Sequence, residues 1–437
     1  MGDSASVRGE KGMEQAELEA SRTLPPPSGH PRFPLLDPLR AVAAISVMLL
    51  HVAILSGGFS PWYKEVLGHL DMGVPFFFLL SGFLLYRPML ASRVIALPAQ
   101  RLRDYARNRF FRIMPLYWVV LTVTAIVPGM FGAFSGDWWV YYGLLQNYPV
   151  YTPDGACATD YFHCAIPPAW TLAVEVFFYA VLPFFALGMA WLTGKVGFGG
   201  RRFISLWVAV ELGVLLVLAG VSFVIQGSPP DSDLDLWLFF SPLGRAWWFG
   251  LGMGLAVISV RVQQTGTTPP PVRWMRDHGG VFWALAAGLY LLATYVIFSP
   301  GPALAAPAGD LDEYVWQYFF FGAISLLILG PAVFSRMEGG LPTRVLAHPI
   351  PVRLGLISYG IFLWHYPVMI WLIERGILKP FAGWEFPVLA ISTGALTIAL
   401  SAVTFRLVER PLMRWSRRRN SRNRSSEASP AATRSGS

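Results

Sequence analysis

Arg40 and His51 stand in an otherwise apolar stretch, "LDPLRAVAAISVMLLHVAIL" at 36–55, and offer the clearest chemistry in this sequence. Ten residues separate them. On a helix that offset leaves the two side chains about 20° apart around the axis and ~16 Å apart along it, so they line one stripe. An ionisable residue inside an apolar helix is costly and marks function by default. Arg40, about one turn in from a helix end, could also snorkel to the interface. His51 lies past the middle and has no such exit, which makes it the candidate titratable base of a polar path.

Other polar residues extend this stripe into a path. "NRFFRIMPLYW" at 108–118 sets Arg109 and Arg112 on adjacent faces of one helical turn, a pairing suited to phosphate groups. "AWTLAVEVFFY" at 169–179 buries Glu175 among apolar neighbours, where a carboxylate could orient or exchange protons with an imidazole. "SYGIFLWHYPVMIW" at 358–371 puts His365 midway along another apolar block, beside Pro367, as a structural or substrate-lining residue. Arg245, in "SPLGRAWWFGLG", has aromatic neighbours and is placed either to hold an anion or to stack on Trp247 or Trp248.

Stepping these residues across a membrane takes about ten helices. Apolar blocks recur at 36–56, 68–86, 113–132, 170–193, 203–225, 239–260, 280–299, 315–335, 354–374 and 386–408. The second contains Gly73 and Pro75 and is expected to be broken or partly re-entrant. "WWVYYGLL" at 138–145 is too short to cross and is expected at an interface. Basic residues alternate with this count. The even-numbered exits carry seven arginines from Arg87 to Arg112, then Lys195, Arg201 and Arg202, then Arg261, Arg273 and Arg276, then Arg336, Arg344 and Arg353. The odd-numbered exits hold only Lys64, Arg375 and Lys379 and are rich in acids such as Asp154, Asp231 and Asp310. The positive-inside rule then puts both termini in the cytoplasm.

Composition agrees with an all-α integral membrane protein. Of 437 residues, 54% are hydrophobic and only 14% charged, well outside the soluble range. Residues 1–34 read as a disordered cytoplasmic tail, 35–412 as the membrane domain, and 413–437 as a basic disordered tail. The net charge of +8 and "WSRRRNSRNRSS" at 415–426 fit cytoplasmic anchoring against anionic membrane lipid, and no nucleic acid partner is expected. Cys157 and Cys164 fall in an expected outer loop, where a disulfide between them is expected. Their spacing matches no zinc site, so no metal is expected. No Walker A loop, dinucleotide fingerprint, nucleophile elbow or His-Glu-x-x-His motif occurs.

Taken together, "LDPLRAVAAISVMLLH", "GVPFFFLLSGFLL", "RNRFFRIMPLYW", "WTLAVEVFFY", "LGLISYGIFLWHYPV" and "LVERPL" resemble the membrane acyltransferase 3 family, which includes bacterial polysaccharide O-acetyltransferases and macrolide acyltransferases. The blocks run in the family's order from residue 36 to 412. The resemblance implies an acyl-CoA donor held from the cytoplasm and delivery of its acyl group to a hydroxyl of a glycan, lipid or secondary metabolite, with no bound cofactor. It puts the family's Arg and His on Arg40 and His51, its paired arginines on Arg109 and Arg112, its Phe-Phe…Ser-Gly block on Phe77, Phe78, Ser81 and Gly82, and its Trp…Glu block on Trp170 and Glu175. On that basis His51 and Glu175 are expected to be catalytic, with Glu175 supporting the histidine. Arg40, Arg109 and Arg112 are expected at the donor, and Ser81, Gly82, Trp170, His365 and Arg245 along the cavity. Two positions depart from the family pattern, Pro75 and Val176, where many members carry an acid. Some relatives carry a fused outer hydrolase-like domain, so this chain is expected to act alone or with a separate extracytoplasmic partner. The competing class is a proton-coupled transporter or flippase using the same polar path; inverted repeats would favour it, and none is evident.

Overall fold

A helix forms at each of the ten apolar blocks, because in lipid a backbone must satisfy its own hydrogen bonds. The computed structural model describes residues 31–56, 64–127, 138–147, 166–198, 205–228, 232–298, 311–334, 340–416 and 418–419. No strand occurs among them. The architecture belongs to one unit, Leu35–Ser437. Its long helices are α1 Leu36–Leu55, α2 Gly73–Val94, α3 Leu102–Ile126, α4 Trp170–Gly194, α5 Leu206–Gln226, α6 Ala246–Thr265, α7 Gly279–Leu292 and α8 Leu311–Phe334. The last three are α9 Pro349–Leu356, α10 Ser358–Glu374 and α11 Glu385–Thr404.

Among the described residues, eight helical stretches are long and apolar enough to cross a bilayer, and the bent α9–α10 pair makes up to nine. This is a multi-pass membrane protein. The sixth expected block differs from the others: α6 is 20 residues long but ends in Arg261, Gln263 and Gln264, and it lies outside that apolar set. Most of its length is packed against protein, with Trp248, Phe249, Met253 and Val257 buried. Gly82 of α2 and Gly252 of α6 let the two backbones touch, since a Cβ at Gly252 would come 1.8 Å from the Leu79 carbonyl and one at Gly82 would come 2.3 Å from that of Phe249. Small residues at such a crossing allow dispersion contacts that lipid cannot outcompete. Phe178 of α4 closes the contact by stacking on Phe249, centroids 3.8 Å apart.

The break expected in the second block lies elsewhere. Pro75 occupies the first turn of α2, where its missing N–H costs nothing, and α2 continues to Val94. The sharp bend, 71°, falls between α9 and α10. There Gly355 presses on α1: a Cβ would meet the Asp37 carbonyl at 2.1 Å. "WWVYY" forms a short helix, Trp138–Tyr142, tied to α3 by hydrogen bonds from the Tyr117 hydroxyl (2.7 Å) and the Trp118 indole (2.9 Å) to the carbonyls of Tyr141 and Tyr142. Cys157, Cys164 and the acids Asp154, Asp160, Asp231 and Asp310 lie outside the described residues.

Candidate active site

The His51 ring sits where α10 packs against α1. Its Nδ1 is 2.8 Å from the Val47 carbonyl oxygen, one turn back on α1, and 3.2 Å from Nε2 of His365. His365 is fully buried, and its own Nδ1 lies 3.2 Å from the Ile361 carbonyl oxygen. The two ring centroids are 5.1 Å apart, and Tyr366 meets His51 edge-on at 5.4 Å. The Phe362 ring centroid lies 6.0 Å from that of His365, and Val47, Leu121 and Leu363 of α1, α3 and α10 belong to the same buried apolar cluster as Phe362 and Tyr366.

A second cluster gathers around the Arg40 end of α1. The Ser81 hydroxyl on α2 donates to the Glu175 carboxylate on α4. Tyr179, one turn further along α4, shares that carboxylate. The Tyr105 hydroxyl of α3 in turn donates to the Tyr179 carbonyl at 3.1 Å, joining α3 to α4. Arg109 lies 5.9 Å from the Tyr179 ring centroid and Arg112 5.9 Å from that of Tyr359. The Tyr359 hydroxyl is held on the Ile113 carbonyl oxygen at 2.8 Å.

Arg112 reaches Glu409 across a long 3.4 Å contact. A π-helical turn, Phe405–Glu409, follows α11 and ends on this acid; such turns recur at functional sites. Glu409 is 1% exposed, and its Oε1 has no hydrogen-bond partner. Arg40 makes no hydrogen bond among the described residues, and its buried Nε is unpartnered, as is that of Arg109. Arg40 feels Arg112, Asp37, Glu175 and Tyr179 only through space. Buried donors without partners are rare in folded proteins, and those of Arg40 and Arg109 both belong to this cluster.

The expected residues therefore divide into two groups. Arg40, Arg109, Arg112, Ser81 and Glu175 come together, while His51 stands with His365. The support expected for His51 from Glu175 is absent: no hydrogen bond or ion pair joins them among the described residues, because Glu175 faces α2 and α10 fills the space beside His51. Arg40 is the fifth residue of α1, about one turn in from the start of the helix at Leu36.

Arg245 is tied into the protein through Nη1, while its Nε is unpartnered. Its Nη1 donates to the Gln226 amide oxygen and the Tyr314 hydroxyl, both at 2.8 Å, and its guanidinium lies 4.8–5.7 Å from the rings of Phe239, Trp248, Trp170 and Phe240. Trp170 thus forms one wall of an aromatic cage, and Gly82 belongs to the α2–α6 crossing. Among the described residues, no group of three or more His, Cys, Asp or Glu could hold a metal ion.

Sequence reasoning missed Tyr179, Tyr359 and Glu409 in the cluster. Tyr179 was discoverable, since it follows Glu175 by four residues and must share its face. It also missed Glu211, fully buried on α5, which accepts hydrogen bonds from the Tyr86 hydroxyl at 2.5 Å and from Arg93.

A family model described as an acyltransferase domain matches residues 34–406. Among curated proteins, the O-acetyltransferase OatA of Staphylococcus aureus is 25% identical over 409 residues, covering 87% of this chain and 57% of that protein. The peptidoglycan O-acetyltransferase OatA of Listeria monocytogenes is 22% identical, covering 87% of this chain and 55% of that protein. The putative peptidoglycan O-acetyltransferase YrhL of Bacillus subtilis is 23% identical, with 88% and 55% covered. The chain therefore spans a little over half the length of these relatives. No solved structure matches it.

Proposed function

The chain belongs to the membrane acyltransferase 3 family, and from that premise we propose that it transfers a short acyl group, acetyl in the first instance, from acyl-CoA to a hydroxyl of an envelope glycan. Arg109 and Arg112 bind the phosphates of the donor, Arg40 lines the route of its acyl-bearing arm, and both termini face the cytoplasm. His51 removes the proton from the acceptor hydroxyl as its oxygen attacks the thioester carbonyl. The coenzyme A thiolate leaves and takes that proton back from the histidine, so the ring ends neutral.

One observation carries this reading. Arginine groups with uncommitted N–H donors lie buried at one end of α1, and a histidine stands toward the other end, about three turns away on the same stripe. Guanidinium groups in that state are suited to an anionic ligand, since a structural arginine at such burial is ordinarily hydrogen-bonded. A pantetheine arm has the length to span the ~16 Å between them. The printed names of the relatives favour a cell-wall glycan as acceptor.

Mass spectrometry of wall glycans, lipids and secreted metabolites with and without the gene tests the acceptor. An acyl mass missing from the glycan fraction alone supports the reading. A mass missing only from a lipid or secreted metabolite replaces that acceptor class, and unchanged acylation in all three with altered substrate flux favours a transporter.

A further inference from the structure

The geometry points to His365 as a positioning residue that fixes the tautomer of His51 and stabilises its protonated form; this rests on the reading of His51 as the base. The argument is one of hydrogen-bond accounting. A backbone carbonyl only accepts, so Val47 O at 2.8 Å requires a proton on His51 Nδ1. With that proton in place, His365 Nε2 at 3.2 Å faces an N–H and must offer its lone pair. Its own Nδ1, 3.2 Å from the Ile361 carbonyl oxygen, then carries the ring's proton. A single assignment satisfies all three contacts: both rings neutral, each protonated on Nδ1, with Nε2 of His51 left bare.

That bare nitrogen is the one able to take a proton from a hydroxyl. When it does, His51 becomes an imidazolium whose Nδ1–H still points at Val47 O and His365 Nε2, and the bond to His365 becomes charge-assisted. The second histidine thus fills the place that a carboxylate holds in a serine protease triad, where the partner keeps the tautomer and steadies the imidazolium. A neutral imidazole does this without adding a buried charge beside an apolar wall of Val47, Phe362 and Leu363. Glu175, bonded to Ser81, does not take this role.

Two measurements test the proposal. In the full-length protein in nanodiscs, with ring nitrogens labelled and His51 assigned by comparison with His51→Gln, nitrogen NMR should show Nδ1 of His51 protonated and Nε2 bare. The reverse pattern in the wild type overturns the proposal whatever the variants do. In acetyl-CoA turnover, His365→Phe should lower kcat by about 100-fold with the donor KM nearly unchanged, the lower end of what a general base contributes. His365→Gln, whose amide oxygen can accept from Nδ1–H, should recover most of that loss. Equal activity of the two variants, or wild-type kcat in His365→Phe, overturns it. A dead His51→Ala alongside an active His365→Phe defeats only this inference, whereas an active His51→Ala defeats the base reading as well.

Discussion

Arg245 and Arg40 are both guanidinium groups sunk among apolar helices, yet their surroundings differ in kind. Arg245 has two hydrogen bonds and a cage of four aromatic rings. Arg40 has none of these and faces other charges only through space. The first arginine completes the fold, tying α5, α6 and α8 together through Gln226 and Tyr314. The second makes no hydrogen bond among the described residues, and on the proposed function it is held for the donor. Their hydrogen-bond partners set the two apart.

The comparison breaks or sharpens under substitution. Arg245→Met should have the largest effect, lowering unfolding free energy by about 2–4 kcal/mol as Gln226 and Tyr314 lose a buried partner, while the donor KM of the protein that remains folded is unchanged. Thermal unfolding in detergent and turnover per folded molecule check both halves. Arg40→Met should do the opposite. Removing an unpaired buried charge should leave the unfolding midpoint equal or higher, and donor affinity should weaken about 10- to 100-fold, as expected for one charge-assisted hydrogen bond. Equal destabilisation by the two variants would erase the distinction. The smallest effect is expected from Glu409→Gln. Its carboxylate competes with an anionic donor for Arg112, so its neutralisation should tighten donor binding by about threefold, within the range of a weak ion pair; a KM series for the acyl donor reads this directly.

What the sequence made legible follows from what periodicity and hydropathy encode. Apolar blocks located the helices, and an eleven-residue offset put Arg40 and His51 on one stripe before any fold was known. Neither signal says which helix faces that stripe. The family resemblance pairs Glu175 with His51, whereas the packing of α4 against α2 gives it Ser81, and the packing of α10 against α1 gives His51 its neighbour His365. Glu409 escaped notice because a π-turn, with no sequence signature of its own, turns it inward. Pro75 misled in the other direction: a proline reads as a break, but in a first turn it is compatible with a continuous helix.

The central claim is that donor arginines and His51 act as one path for acyl transfer. Purified protein given radiolabelled acetyl-CoA, with His51→Ala alongside, tests it most directly. The account predicts acetyl transfer, or slow donor hydrolysis, that falls by at least about 1,000-fold in the variant, as for loss of a general base, while coenzyme A still binds. Undiminished turnover in His51→Ala would contradict it.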